Sequence, residues 1–295
     1  MEPVRGCRRR QDQGRPHAAP DGTPDERPAR RTDRPVSGQR CAVTVAEQPS
    51  PFSAARLAEF RARYAPASFD KLSLLDDQYL IAAEGRYRVY YAALGALPPA
   101  DAKVVFVGLT PGFSQVVEAA RAFVETPKAI RDDPVTYSGI LRHRVAFAGS
   151  MRRNLCSMLD AIGVPSALGI RESNELFSNA MASAAATSAL VYPVFVGPEL
   201  RNFSGTGIDL ARIALFRRMM DELLAPRLAH APGALIVPLG VAAATGVSYL
   251  RDHGAISIER VLTGMPHPSG SNGHRKRQFQ DNADALRSRI TDWFS

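Results

Sequence analysis

Short apolar runs alternate along most of the chain with amphipathic segments, and turns rich in glycine or proline separate them. Four apolar runs predict strands, at residues 103–108, 187–192, 234–239 and 260–262. The first, after Lys103, and the third are continuously apolar, which is typical of strands buried on both faces of a parallel sheet. Helices are predicted at 53–64, 86–94, 115–124, 146–162, 208–228, 241–253 and 276–294.

This alternation predicts an α/β fold, a three-layer α/β/α sandwich around a mostly parallel sheet of about four strands. Ligands of such sheets bind in the crevice beyond the carboxyl ends of the strands. Two predicted strands end in turns of glycine, proline and small polar residues, at 108–115 and 266–275. Both turns are therefore expected to open on one crevice, although they lie far apart in the chain.

Residues 1–50 differ in composition from everything after them. They contain ten Arg and seven Pro but almost no large apolar side chain. Such a segment buries too little apolar surface to offset its ordering entropy, so we expect a disordered tail and one domain at 51–295. Seven acidic residues offset the arginines. That balance favours a dispensable tail, or an extension from a misplaced start codon, over a basic arm that follows phosphates.

Charge and cysteine content narrow the class of protein. The chain has 295 residues, of which 45% are hydrophobic, and a formal net charge of +8. A positive balance suits a polyanionic partner. Three cysteines exclude a disulfide framework and any iron–sulfur or zinc site that needs four thiolates from one chain. We therefore expect no metal and no iron–sulfur cluster.

Nothing in the hydropathy pattern predicts a membrane protein or a secreted one. No uninterrupted apolar run reaches the roughly 18 residues that a membrane-spanning helix needs. The N-terminus is charged but lacks the apolar core of a secretory signal. The sequence therefore predicts a soluble, cytoplasmic protein.

The turn after the first predicted strand reads Gly108-Leu-Thr-Pro-Gly112. Its glycines let the backbone approach a ligand, and the next helix offers free N–H groups to an anion or a carbonyl. The segment lacks the Gly-Lys-Ser/Thr of a P-loop and the third glycine of a dinucleotide fingerprint, so it supports neither nucleotide class. A tight structural turn accounts for the segment equally well.

The turn after the last predicted strand reads His267-Pro-Ser-Gly-Ser-Asn-Gly-His274, and three basic residues follow it. A histidine held between two prolines at a strand end is a candidate for catalysis. Small residues followed by a basic helix start suit the close approach of a phosphate backbone.

Together the two turns resemble the two signature motifs of the uracil-DNA glycosylase superfamily. Residues 108–112 stand where members carry a Gly-x-x-Pro loop, and residues 267–272 stand where they carry a His-Pro-Ser loop. Between them, Ala146-Phe-Ala-Gly149 is similar to the family's Pro-Phe-x-Gly segment. The resemblance spans roughly residues 100–285, with the segments in the family's order.

The resemblance implies a base-excision repair glycosylase that hydrolyses the N-glycosidic bond of uracil, or a related deaminated base, flipped out of DNA. It implies a monomer in the nucleoid, with DNA as partner and no cofactor. Phe147 would stack on the base, and His267 would stabilise the charge on the departing base. The implied base pocket is Gly108, Leu109, Pro111, Gly112, Phe147 and Ser188, and the implied DNA contacts are Ser269, Gly270, Ser271, Asn272, Arg275 and Lys276.

Two positions depart from the family's pattern. Members place a carboxylate or an amide in the first motif to activate or orient water, where this chain has Leu109 and Thr110. A threonine hydroxyl orients water by a hydrogen bond, but its pKa is far too high for a general base. Members often carry Asn on the base-reading strand, where this chain has Thr187 and Ser188, so specificity for uracil is open.

Two further hypotheses stay open. A catalytically weak or inactive member that binds DNA or nucleobases would account for Leu109 and Thr110. An unrelated α/β hydrolase would use His267 and Ser269 as a nucleophilic pair. Residues two apart on a loop seldom face each other well, and the chain has no Gly-x-Ser-x-Gly elbow.

Overall fold

The structure, a computed structural model, describes residues 50–94, 97–178 and 183–295. These residues belong to one compact unit, Gln48–Ser295. The tail expected to be disordered, at 1–50, lies outside the described residues except for Ser50. Within the described ranges, no helix combines the length and the apolar character that a membrane crossing requires.

The fold is mixed α/β. Helices α1 to α11 are Ala54–Arg63, Lys71–Leu74, Phe113–Glu125, Lys128–Arg131, Pro134–Arg144, Ser150–Ala161, Val164–Leu168, Ala214–Met219, Ala225–His230, Val241–Asp252 and Arg275–Phe294. Strands β1 to β7 are Leu80–Glu84, Tyr87–Tyr90, Val104–Gly108, Ala184–Ser188, Val194–Val196, Arg201–Asn202 and Leu235–Pro238. The predicted helices at 53–64, 115–124, 241–253 and 276–294 correspond closely to α1, α3, α10 and α11.

A parallel sheet forms the centre of the α/β arrangement, and its strand order in the described residues is β4-β3-β7. Phe106 of β3 pairs with Ala186 on one side and Val237 on the other. The fourth predicted strand, at 260–262, is reduced to one parallel bridge between Ile236 and Val261. The strand predicted at 187–192 is shifted toward the N-terminus, since β4 begins at Ala184 and ends at Ser188.

A second sheet was not predicted from the sequence. It is antiparallel, with strand order β1-β2-β5-β6. The prediction of a helix at 86–94 is therefore wrong, since residues 87–90 form β2. Gly85 turns the chain between β1 and β2 with a φ of 55°, a conformation that glycine adopts readily in tight hairpins.

Two predicted helices also change where the backbone cannot stay α-helical. The helix predicted at 146–162 begins only at Ser150, because Phe147 and Gly149 have φ values of 52° and 76°. The helix predicted at 208–228 is interrupted by a π-helical turn, Met220–Leu224, between α8 and α9. Pro226 follows that turn and has no N–H for the carbonyl four residues earlier, so a regular helical ladder cannot pass through it.

Both faces of the parallel sheet are buried. Val105 and Val107 of β3 belong to one hydrophobic cluster, which includes Phe123 of α3. Val104 and Phe106 belong to another cluster, which includes side chains of α6 and α11. Both faces of the sheet are covered by packed side chains. The open space therefore lies at the carboxyl ends of the strands.

Candidate functional site

A cavity of about 1310 Å³ lies at the carboxyl ends of β3, β4 and β7. Its lining comes from 108–112, 145–149, 186–188, 202–209 and 239–242, and from His267, Ser269, Ser271 and Asn272. The structure thus brings together Gly108, Leu109, Thr110, Pro111, Gly112, Phe147, Ser188 and His267, which the sequence proposed as one site. We call residues 108–112 the first loop and residues 266–275 the second loop.

The hydroxyl of Thr110 is held by the protein backbone. Its Oγ1 donates to the carbonyl oxygen of Tyr192 at 3.1 Å and accepts from the N–H of Val194 at 3.1 Å. A hydroxyl has one proton, and here that proton is engaged. Thr110 can therefore only accept a hydrogen bond from a water. In the structure its hydroxyl links the first loop to the start of β5.

Side chains of the protein also occupy N–H groups at the start of α3. The side chain of Gln115 accepts from the N–H of Gly112 at 3.1 Å. The Oδ1 atom of Asn202 accepts from the N–H of Phe113 at 3.0 Å. Two of the N–H groups expected to face a ligand are thus capped, one of them by a residue on β6 that lies far away in sequence.

Phe147 forms an aromatic wall of the cavity. Its ring meets Phe106 and Phe177 edge to face, with centroid separations of 6.5 and 6.3 Å. A Cβ atom at Gly108 would lie 3.5 Å from this ring and 3.6 Å from the Ser188 hydroxyl oxygen. Phe147 is 7% exposed, and its positive φ is a rare conformation for a bulky residue.

His267 is half-buried, and within the described residues the hydrogen bond of its ring involves Nδ1 and not Nε2. Its Nδ1 atom accepts from the N–H of Ser269 at 3.3 Å. Because Nδ1 accepts, the proton of the neutral ring lies on Nε2. Burial lowers the pKa of His267 below its ordinary value, which keeps the ring neutral near pH 7. The side chain therefore offers a neutral Nε2–H donor in the cavity lining.

Gly240 fixes the distance between β7 and the second loop. A Cβ atom at this position would lie 2.8 Å from the Cβ of His267 and 3.2 Å from its backbone nitrogen. The φ of Gly240 is 85°, and its N–H donates to the carbonyl of Met265 at 2.9 Å. A glycine is thus required here for two reasons, the close approach and the left-handed backbone.

The remaining residues of the second loop are held by a network of their own. Asn272 donates to the carbonyl of His267 at 3.2 Å, and Arg275 donates to the carbonyl of Ser269 at 2.6 Å. The hydroxyls of Ser269 and Ser271 lie 2.8 Å apart. Gly270, Arg275 and Lys276, which the sequence proposed as DNA contacts, lie outside the cavity lining.

Sequence reasoning missed the segment 202–209, which also lines the cavity. A Cβ at Gly205 would lie 2.8 Å from the Leu109 side chain, so this segment packs directly on the first loop. Its sequence, Asn-Phe-Ser-Gly-Thr-Gly, is rich in glycine and small polar residues like the other two loops, and could have indicated a third loop of the site. Two carboxylates, Glu118 and Asp209, also line the cavity, and each lies within 4 Å of an arginine, at 3.9 and 3.3 Å.

Comparison with known proteins finds one similar sequence of substantial length. The chain is 32% identical over 232 residues to the uncharacterized protein YoxB of Bacillus subtilis strain 168. The match covers 78% of this chain and 89% of YoxB. No protein-family model matches the chain.

Proposed function

The chain belongs to the family of YoxB, and we propose that it is a DNA N-glycosylase. Its substrate is uracil, or a related deaminated base, flipped out of DNA into the cavity. The reaction is hydrolysis of the bond between the base and the deoxyribose, which leaves an abasic site.

The observation that carries this proposal is the donor on His267. As the glycosidic bond breaks, its electron pair moves onto the base, and negative charge develops on a ring carbonyl oxygen. The Nε2–H of neutral His267 donates a hydrogen bond to that oxygen, and a donor fixed in advance stabilises such charge. A water oxygen forms the new bond to the sugar carbon, and its proton passes to solvent or to the departing base.

The aromatic wall supports the same proposal. A flipped base is read by stacking and by hydrogen bonds to its edge. Phe147 supplies an apolar face and Ser188 a hydroxyl at the edge, and Gly108 lies next to both. Apolar walls with few polar groups are typical of sites for small planar ligands.

The proposal extends to the setting of the reaction. The parallel sheet with a hydrophobic cluster on each face is the centre of a three-layer α/β/α sandwich of the uracil-DNA glycosylase type. The protein acts as a cytoplasmic monomer in the nucleoid and needs no cofactor. Ser269 to Asn272 press on the DNA backbone, and Arg275 and Lys276 contact phosphates.

Base release is tested on oligonucleotides that carry a single uracil or deaminated purine, in single and double strands. Cleavage at the abasic site by alkali, resolved on a denaturing gel, reports the product. We expect cleavage with wild type and none with a matched oligonucleotide that carries cytosine. Absence of abasic sites with every base, at enzyme in excess over DNA, contradicts the proposal.

The second candidate is a family member that binds DNA or nucleobases without turnover. The engaged hydroxyl of Thr110 favours it, because no side chain of the first loop is then free to activate water. Losing base assistance costs about 10²–10⁴ in rate. Retention of uracil-containing DNA in a gel shift, without abasic sites, supports this candidate.

The hydrolase hypothesis gains no support from the second loop. In the described residues, the hydroxyl of Ser269 contacts Ser271 and not the ring of His267. The Nδ1 atom of His267 meets the backbone N–H of Ser269 instead, so a nucleophile–base contact is missing.

A further inference from the structure

Two arginines lie beside the turn that carries Phe147, and the proposed reaction does not use them. Arg142 is 4% exposed and lines the cavity, and Arg152 is half-buried on α6. Burial lowers the pKa of both guanidinium groups. Within the described residues neither forms an ion pair with a carboxylate, although a buried charge without such a pair is costly.

Arg152 directs its guanidinium group at the backbone next to Phe147. Its Nε and Nη2 atoms donate to the carbonyl of Ala146 at 3.1 and 2.7 Å. Nη2 also donates to the carbonyl of Arg142 at 3.2 Å. The guanidinium lies 5.0 Å from the centroid of the Phe177 ring, which itself packs on Phe147. One side chain thus holds both the peptide before Phe147 and the ring behind it.

Arg142 anchors the same turn to the parallel sheet. Its Nη1 atom donates to the carbonyl of Ala184 in β4 at 2.8 Å, and Nη2 donates to the carbonyl of Ser178 at 3.1 Å. Its Nε atom is buried without a hydrogen-bond partner in the described part of the chain. A chain of contacts therefore runs from β4 through Arg142 to Arg152 and then to Ala146.

The backbone of Phe147 explains why such support is needed. A φ of 52° in a non-glycine residue persists only where the surroundings over-determine it, and such strain concentrates at ligand sites. Charge-assisted bonds in the forked geometry of a guanidinium are the strong means of fixing one carbonyl. A lysine would keep the charge but would lose the fork.

We propose that Arg152 is a positioning residue, which holds Phe147 in the orientation that stacks on a planar nucleobase. This inference rests on the proposed function, because it assigns Phe147 to the base. It predicts that Arg152 contributes to base recognition only through Phe147.

A double-mutant cycle with Arg152→Lys, Phe147→Ala and the double variant tests the proposal. The readouts are KM and kcat for uracil-containing DNA, and affinity for DNA that carries an abasic-site analogue. We expect R152K to raise KM by roughly 10-fold to 100-fold, the range for losing charge-assisted bonds. In the F147A background it should change KM less than twofold, and affinity for abasic DNA should stay unchanged in all variants.

The control is Arg153→Lys, on the same helix but exposed. It should match wild type in every readout. Arg152→Gln, which keeps one donor group, is a second variant in case R152K does not fold, and melting temperatures identify that case. A crystal structure of R152K in which Phe147 has left the positive φ region supports the proposal independently of activity.

The outcomes separate this inference from the proposed function. Positioning through Phe147 is overturned if R152K raises KM equally in the wild-type and F147A backgrounds. It is also overturned if R152K lowers the affinity for abasic DNA as much as the affinity for uracil-containing DNA. If wild type releases no base, the proposed function fails instead. The position of Phe147 in the R152K crystal structure then still decides the structural part of the inference.

Discussion

The first and second loops both line one cavity, but their polar groups are used differently. In the first loop, the Thr110 hydroxyl and the N–H of Gly112 are bound by the protein itself, and so is the N–H of Phe113 directly after the loop. In the second loop, His267 uses Nδ1 to hold its own backbone and leaves Nε2 for a ligand. Under the proposed function, the first loop therefore acts as a wall and the second loop carries the donor for the reaction.

Removing the donor of the second loop is the strongest test of this division. His267→Ala should lower single-turnover base release by about 10²–10³, the usual effect of losing one oxyanion donor. Affinity for uracil-containing DNA should change little, because the donor acts mainly as charge develops. His274→Ala, on the exposed end of the same loop, is the control. Full activity of H267A would contradict the assignment.

Moving the donor without removing it sharpens the comparison. Gly240→Ala places a Cβ 2.8 Å from the Cβ of His267, so the second loop has to shift. A displacement of this kind costs about 10²-fold in rate, and the first loop should keep its contacts. Gly233→Ala is the control, since a Cβ there meets no atom within 4 Å. Single-turnover kinetics and a melting curve on both variants separate lost activity from unfolding.

If the first loop is a wall, substitutions at Thr110 should lower stability more than they lower base release. Thr110→Val removes the bonds to Tyr192 and Val194 and should lower the free energy of unfolding by about 1–3 kcal/mol. Base release by the folded protein should fall less than tenfold. Thr110→Ser keeps the hydroxyl and should resemble wild type in urea unfolding. A T110V variant of normal stability that cannot release base would assign the chemistry to the first loop.

The smallest expected effect is a pH dependence of stability that comes from the second loop. Burial lowers the pKa of His267 in the folded state, while the unfolded value is about 6.5. The neutral ring thus stabilises the fold fully above about pH 6.5, and this contribution is lost as the pH falls through the folded pKa. We expect urea unfolding of wild type, but not of His267→Gln, to show this loss. An identical acid dependence in both would contradict it.

The sequence predicts the parallel sheet and the two loops because their signals are local. A continuous apolar run such as 103–108 and a glycine–proline turn carry their own structural information. The antiparallel sheet was missed because Tyr87-Arg-Val-Tyr90 is short and alternates too briefly for its period to be distinguished from a helix. Only the hairpin glycine, Gly85, indicated a strand pair.

The residues that hold the site residues in place could not be predicted from local signals. Asn202 caps α3 and Arg142 reaches β4 through contacts between segments far apart in sequence. Polar residues of this kind carry no periodicity, and their partners are backbone atoms that every residue has. The sequence therefore indicated which residues could act on a ligand better than it indicated which residues hold them.

The fastening of the first loop by Thr110 also has a consequence for how the protein opens. The bonds to Tyr192 and Val194 join a loop of the parallel sheet to the start of β5, so the two sheets share part of one cooperative unit. An opening that frees β5 breaks the bond from Val194 to Thr110, while the N–H groups of Ala189 and Leu190 still hold the carbonyls of Gly108 and Leu109. We therefore expect the amide hydrogens of Val194 and Thr110 to exchange together, so that part of the pocket's lining opens with the antiparallel sheet.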